Sequence, residues 1–171
     1  MTGPYLGKWR GTVVDNTDPE SRGRLKVFVP GVANTTLVSW AMPCFPVAGL
    51  LSGFFAVPPP QAGVWVEFEQ GERSKPIWSG CYWTQPGDPS VLARSIPAPI
   101  PGFVMTTAAG NALVVSDAGG PSGAGGIVLK SMSGAMIIVN DTGITIQNGK
   151  GAIISMTGNV VDVNLGALTI K

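Results

Sequence analysis

The chain has 171 residues, 44% of them hydrophobic and only 12% charged, with 24 glycines, 15 prolines and a formal charge of +1. That length holds one domain, or a small domain with an extension, and a near-neutral balance leaves no electrostatic footprint for nucleic acid. Histidine is absent, which removes the commonest general base and the commonest metal ligand, so no catalytic residue, cofactor or metal site is expected.

In chain order, residues 5–14 (YLGKWRGTVV) alternate well enough for a first strand, and the cluster Asp15-Asn16-Thr17-Asp18-Pro19 is a turn. Arg24–Val29 is a half-buried strand with Leu25, Val27 and Val29 on one face. Leu37–Met42 is a third strand and contains Trp40. Residues 43–62 follow as a long Pro/Gly-rich loop. Val64–Glu69 is a fourth strand with Val64, Val66 and Phe68 on one face, and Pro76–Trp83 is a fifth. Five strands with one long excursion between the third and the fourth predict an OB-fold barrel over residues 1–83, and an SH3-like barrel has similar spacing.

Residues 84–102 carry Pro86, Pro89, Pro97, Pro99 and Pro101 and read as an extended, stiff linker. From Phe103 a second part begins, with Ala112–Val115 as a strand and Gly119–Gly126 as a loose loop. Then come five short runs rich in Ile and Val: Met136–Val139, Ile144–Ile146, Ile153–Met156, Val160–Val163 and Leu168–Ile170. Glycines at 134, 143, 151, 158 and 166 separate them at spacings close to eight. Glycine tolerates a positive φ and suits tight corners. A strand–corner–strand repeat is the signature of a solenoid or an interwound β-helix, although hairpins of a β-sandwich remain an alternative.

One such rung cannot cover its own apolar side, which either stacked rungs or identical chains wound together over residues 103–171 can cover. The candidate residues for that apolar core, the trimer core if the chains wind together as the resemblance below implies, are Ile137, Val139, Ile144, Ile146, Ile153, Val161, Val163, Leu168 and Ile170. Which strand parity faces inward is open. The whole chain is thus read as all-β. Cys44 and Cys81 are far apart without metal-ligand spacing, and burial in the reduced state is expected over pairing. The N-terminus lacks an apolar h-region and no run is long enough to span a bilayer, so synthesis in the cytoplasm is expected.

A set of short motifs in order carries a resemblance. It runs through Gly11-x-Val13, Asp18-Pro19, Gly23-Arg24-Leu25-Lys26-Val27, Trp40-Ala41, Pro46-x-Ala48-Gly49, Gly53, Pro60 and Gly63. It continues with Val64-x-Val66-x-Phe68-Glu69-x-Gly71, Pro76 and Gly80. These residues resemble the OB domain of the central spike of contractile tails. That family includes the phage T4 spike, the baseplate assembly protein V group and the valine-glycine-repeat spikes of type VI secretion. The second part resembles the triple-stranded β-helix that follows there, with Gly110-Asn111 and Ser116-Asp117 near its start. Asn111 stands where the family often has histidine.

The resemblance implies a homotrimer whose OB domains sit on a hub protein and whose β-helix is driven through a target-cell membrane. The particle would be assembled in the bacterial cytoplasm and belong to a virion tail or a secreted contractile device. No lysozyme domain, fused hub domain or metal-binding apex is expected, and a separate PAAR-type tip protein is expected to cap the end at Leu168, Ile170 and Lys171. Two other functions stay open: an OB-fold module binding nucleic acid or protein, and a surface fibre or adhesin.

Overall fold

A computed structural model describes residues 3–37 and 39–170. The chain divides into two compact units, Met1–Asp88 and Pro89–Lys171.

The first unit is built from β1 (Trp9–Asp15), β2 (Lys26–Phe28), β3 (Met42–Pro43), β6 (Gly63–Phe68) and β7 (Pro76–Tyr82), hydrogen-bonded in the order β2-β1-β6-β7-β3. The pairing of β3 with β7 is parallel and the other ladders are antiparallel. Bridges Leu25↔Ala41 and Phe28↔Thr36 join β2 to the segment that leads into β3, which closes the sheet into a barrel. Alternation built it: Val13, Leu25, Val27, Val29, Ala41, Val64 and Val66 are fully buried, with Phe68 and Trp78 nearly so.

Some elements differ from the sequence reading. The first strand starts at Trp9, because Gly7 turns the backbone to φ 77° before it. The third strand shrinks to β3, and the stretch before it meets β2 and its flank only at single bridges, Thr36 with Phe28 and Ala41 with Leu25; Val38 lies outside the described residues. The long loop carries a hairpin, β4 (Ala48–Gly49) with β5 (Ser52–Gly53). Both cysteines are free and exposed, so burial was wrong for each. Cys44 sits in the loop just past β3, and Cys81 holds an outward position of β7 beside the Gly80 bulge.

The second unit opens with a one-turn helix, α1 (Val91–Arg94), within the segment read as an extended spacer; Ser90 caps it by accepting from the Ala93 N–H at 3.1 Å. Eight strands follow: β8 (Gly102–Thr106), β9 (Ala112–Ser116), β10 (Gly126–Lys130), β11 (Met136–Asn140), β12 (Gly143–Gln147), β13 (Ile153–Thr157), β14 (Val160–Val163) and β15 (Leu168–Ile170). They form one antiparallel sheet in strict sequence order. Within one chain the ladder neighbours are therefore consecutive strands. The glycine corners are short enough to turn each strand back on its predecessor. Gly126 and Gly143 sit where a Cβ would strike a backbone carbonyl of the adjacent strand, Val139 and Met156 respectively. Gly119–Gly126, read as loose, is a compact turn closed by Gly125 N–H donating to the Gly119 carbonyl at 2.9 Å.

Candidate functional site

In the barrel unit the residues that carried the resemblance hold the geometry of turns, bulges and close packing. The Asp18 carboxylate accepts from the backbone N–H groups of Glu20, Arg22 and Arg24 and from Nε and Nη2 of Arg24, at 2.7–3.2 Å. Its side chain is 3% exposed. The Arg24 guanidinium, then these backbone donors, hold its carboxyl far below the usual range. Arg24 also pairs with Glu20 and lies over the Trp40 ring, which Lys26 covers as well. Pro19 is exposed in the turn between them. Gly23 leaves the left-handed space (φ 78°) against which Phe45 and Phe55 pack, and its carbonyl accepts from Trp78 Nε1.

Gly11 faces Val66, and Gly63 faces the Tyr82 ring, both closer than a Cβ would permit. Gly71 lies against Pro4 after a turn of 3-10 helix that follows the buried Phe68. Gly80 sits in the bulge of β7, where Val64 pairs with Cys81 and Val66 with Trp78. Gly49 closes the small hairpin opposite Ser52.

The second unit holds a different kind of site. Cross-strand partners lie on one face of a sheet, as do residues two apart in a strand. Following the register gives one row of Phe103, Val115, Ile127, Val139, Ile144, Met156, Val161 and Ile170. The parallel row is Met105, Leu113, Leu129, Ile137, Ile146, Ile154, Val163 and Leu168. Every position in both rows is apolar, and most are exposed in the single chain, from 37% at Met156 to 57% at Ile170. At about 4.8 Å between strands the rows run roughly 34 Å, a larger continuous apolar patch than a monomeric protein ordinarily leaves in water.

The opposite face is unlike this one. Its middle row begins Val104, Val114, Val128, Ile138 and turns polar at Thr145, Ser155 and Asp162. Val114 and Val128 are buried within the chain. The turn at Gly119–Gly120 lies over Val114 and is braced by Pro97 and the Ser95 carbonyl. So the chain covers one face itself where that face is apolar and leaves the other bare throughout.

Of the nine residues expected to form an apolar core, eight share the bare face. Ile153 does not: it pairs with Gln147 on the other parity, and Ile154 holds the outward-facing position. Phe103, Met105, Leu113, Val115, Ile127, Leu129 and Met156 complete the rows. The sequence hid them because runs such as GFVMT, ALVVS and GIVLK are apolar on both parities. Leu168 and Ile170 lie on the edge strand β15, both more than half exposed; Lys171 lies outside the described residues.

Comparison with known families fits both units. Residues 9–83 match the type VI secretion system/phage-baseplate injector OB domain, and residues 102–169 match the phage baseplate V C-terminal trimerisation domain. The chain belongs to the phage-baseplate V spike family. No curated protein matches it. Membership gives the bare face a meaning, since all of it but Ile170 lies within the matched trimerisation domain and a homotrimer offers it two further copies to pack against. The domains of this spike family are structural and not enzymatic. Membership also makes the chain a component of a phage tail or a secreted injector. Among the described residues no group of three His, Cys, Asp or Glu side chains is placed to hold a metal ion.

Proposed function

We propose that three copies of this chain form the central spike of a contractile injection machine. The barrels attach to the hub of the baseplate, and the C-terminal stalk is driven through the target-cell membrane when the sheath contracts. Assembly takes place in the bacterial cytoplasm before the particle is released.

The observation that carries this reading is the pair of unbroken apolar rows across eight strands. Each position is partly exposed, and covering it gains on the order of 1 kcal/mol per side chain. Sheets twist by about 20° per strand, so a face followed across eight strands winds around an axis. Three such faces packed together are wound by the same twist. Ladder hydrogen bonds from β8 to β15 are made within each chain, and association adds apolar packing to them. The result is a rod that resists peeling, which suits puncture better than any reactive group would.

Among the described residues β15 is the edge strand of this sheet, with Leu168 and Ile170 exposed. An open apolar edge invites pairing or cover. This supports a separate PAAR-type tip protein there, in contact with Leu168, Ile170 and Lys171. In the barrel, several cations are taken up by the fold: Lys8 pairs with Glu67, Lys75 with Glu72, and Arg10 stacks over Trp65 and Tyr82. That favours a structural over a nucleic-acid-binding role.

The test is genetic and visual. In the producing cells, Ile146→Asp is expected to leave no particle with a central spike by electron microscopy and no activity against target cells. Particles that assemble and fire normally with this substitution, in a chain shown to be monomeric, would overturn the proposal.

A further inference from the structure

The barrel unit carries an apolar knob and an apolar hole that the spike reading does not use. The knob is the β4–β5 hairpin. Its corner residues Leu50 and Leu51 are 93% and 100% exposed, and Val47, Phe54 and Phe55 beside them are exposed too. Leu51 is held at φ 56°, a region a leucine enters only at a steric cost that glycine or asparagine would avoid. The hairpin is not a loose tip. Phe54 N–H donates to the Val47 carbonyl at 2.9 Å. Phe55 contacts Phe45 (ring centroids 5.6 Å apart), and Phe45 meets the buried Trp78 edge-on at 5.5 Å. An aromatic chain thus ties the knob to the barrel core, so little conformational freedom remains to be lost when it docks.

The hole is an open groove of about 590 Å³ lined by Pro58, Pro60, Ala62, Cys81, Tyr82 and Trp83. Its carboxylate, Asp88, is already engaged by Thr84 and Gln85. From Val27 to Val66 the chain has no charged residue, and that span includes the whole knob and the proline rim of the groove. Trp78 and Tyr82, which mark the knob and the hole, lie four residues apart along β7, roughly 13 Å. The exposed tip confirms that a chain does not fill its own groove.

We infer that, in the trimer, the Leu50–Leu51 knob of one copy enters the Pro58–Trp83 groove of the next, closing a ring of three barrels. This rests on the homotrimer. One knob and one hole per copy make a head-to-tail contact, and a three-fold axis satisfies all three at once. The trimerisation domain holds the barrels at a high effective concentration, so a contact too weak to join free barrels is made once the stalk has formed. A knob without charge, and a groove whose single carboxylate is already held by its own loop, fit a permanent contact within one assembly, where interfaces resemble cut cores.

Cys81 supplies the test. In full-length chain carrying Cys44→Ser, Leu50→Cys places a thiol on the knob opposite the natural thiol in the groove. Diamide treatment at alkaline pH is expected to give covalent dimers and trimers on a non-reducing gel, and adding Cys81→Ser is expected to remove them. Independently, alkylation of Cys81 in Cys44→Ser trimer is expected to be at least tenfold slower than in the same chain with Leu50→Ser and Leu51→Ser. If light scattering shows a trimer but no cross-link depends on Cys81 and alkylation is equally fast in both chains, the ring is wrong and the spike reading stands. If the knob thiol cross-links only to a hub protein in assembled particles, the ring is wrong as well. A monomer in light scattering overturns both readings.

Discussion

Ile127 and Val128 are adjacent in β10 and live in different environments: Val128 is 1% exposed within its own chain, and Ile127 is 46% exposed. The two faces of the sheet diverge between these residues. One is completed by the chain itself, through the Gly119–Gly120 turn over Val114, and the other needs further copies.

That contrast predicts separable effects. Val128→Ala removes packing inside one chain and is expected to lower stability by roughly 1–3 kcal/mol, with a urea midpoint shift that does not depend on protein concentration beyond the wild-type dependence. Ile127→Ala removes packing between chains and is expected to weaken the trimer, so its effect grows on dilution. Equilibrium unfolding across a hundredfold concentration range separates them.

Parity makes a sharper prediction. Ile146→Asp puts a carboxylate in the middle of an apolar row and is expected to abolish the trimer, because an unpaired buried charge costs several kcal/mol in each of three copies. Thr145→Asp, one residue away on the polar half of the other face, is expected to leave the trimer intact. Analytical ultracentrifugation of both variants checks the assignment of faces. Equal tolerance of the two would mean that the register does not set the interface.

The barrel latch titrates in acid. Asp18 has its carboxyl lowered by Arg24 and three backbone donors, so it binds a proton more readily unfolded than folded. It therefore contributes stability at every pH above its unfolded value, about 3.9. That contribution fades as pH falls from about 5 toward its much lower folded value. The expected outcome is a barrel melting temperature that is flat near neutrality and declines below about pH 4. In Asp18→Asn the temperature is lower at pH 7 and the decline is shallower. Circular dichroism melts at several pH values measure both.

Close approach at Gly11 predicts a cost for the smallest side chain. A Cβ there would stand 2.9 Å from Val66 Cγ2 and 3.3 Å from the Phe28 carbonyl oxygen. Gly11→Ala is expected to destabilise the barrel by about 1–3 kcal/mol through overpacking. The signature is a lower urea midpoint with an unchanged stalk.

Much of this was legible in the sequence, and the reasons differ by region. The barrel core was readable because Leu25, Val27 and Val29 alternate with polar neighbours, as do Val64, Val66 and Phe68, so the period gives the buried face directly. The five Ile/Val runs after residue 135 were readable because a glycine precedes each one. The face was not readable. In Ile153-Ile154 both parities are aliphatic, and only the register set by the corner between β12 and β13 tells which one points outward. Strands β8 and β10 hold the same ambiguity of face, since GFVMT and GIVLK are apolar on both parities. The apolar hairpin reads as loop because its corner is Leu50-Leu51, with no Gly, Asn, Asp or Pro at either position. The cysteines misled because burial is a tendency of the residue type, and Cys81 occupies an outward position of β7.

The central claim is that residues 102–170 assemble three chains through one bare face. Light scattering on the full-length chain, alongside a fragment ending at Asp88, tests it most directly. The account predicts a full-length mass three times 17.6 kDa and a monomeric fragment at micromolar concentration. A full-length chain at 17.6 kDa, with its apolar rows still exposed to water, would contradict it.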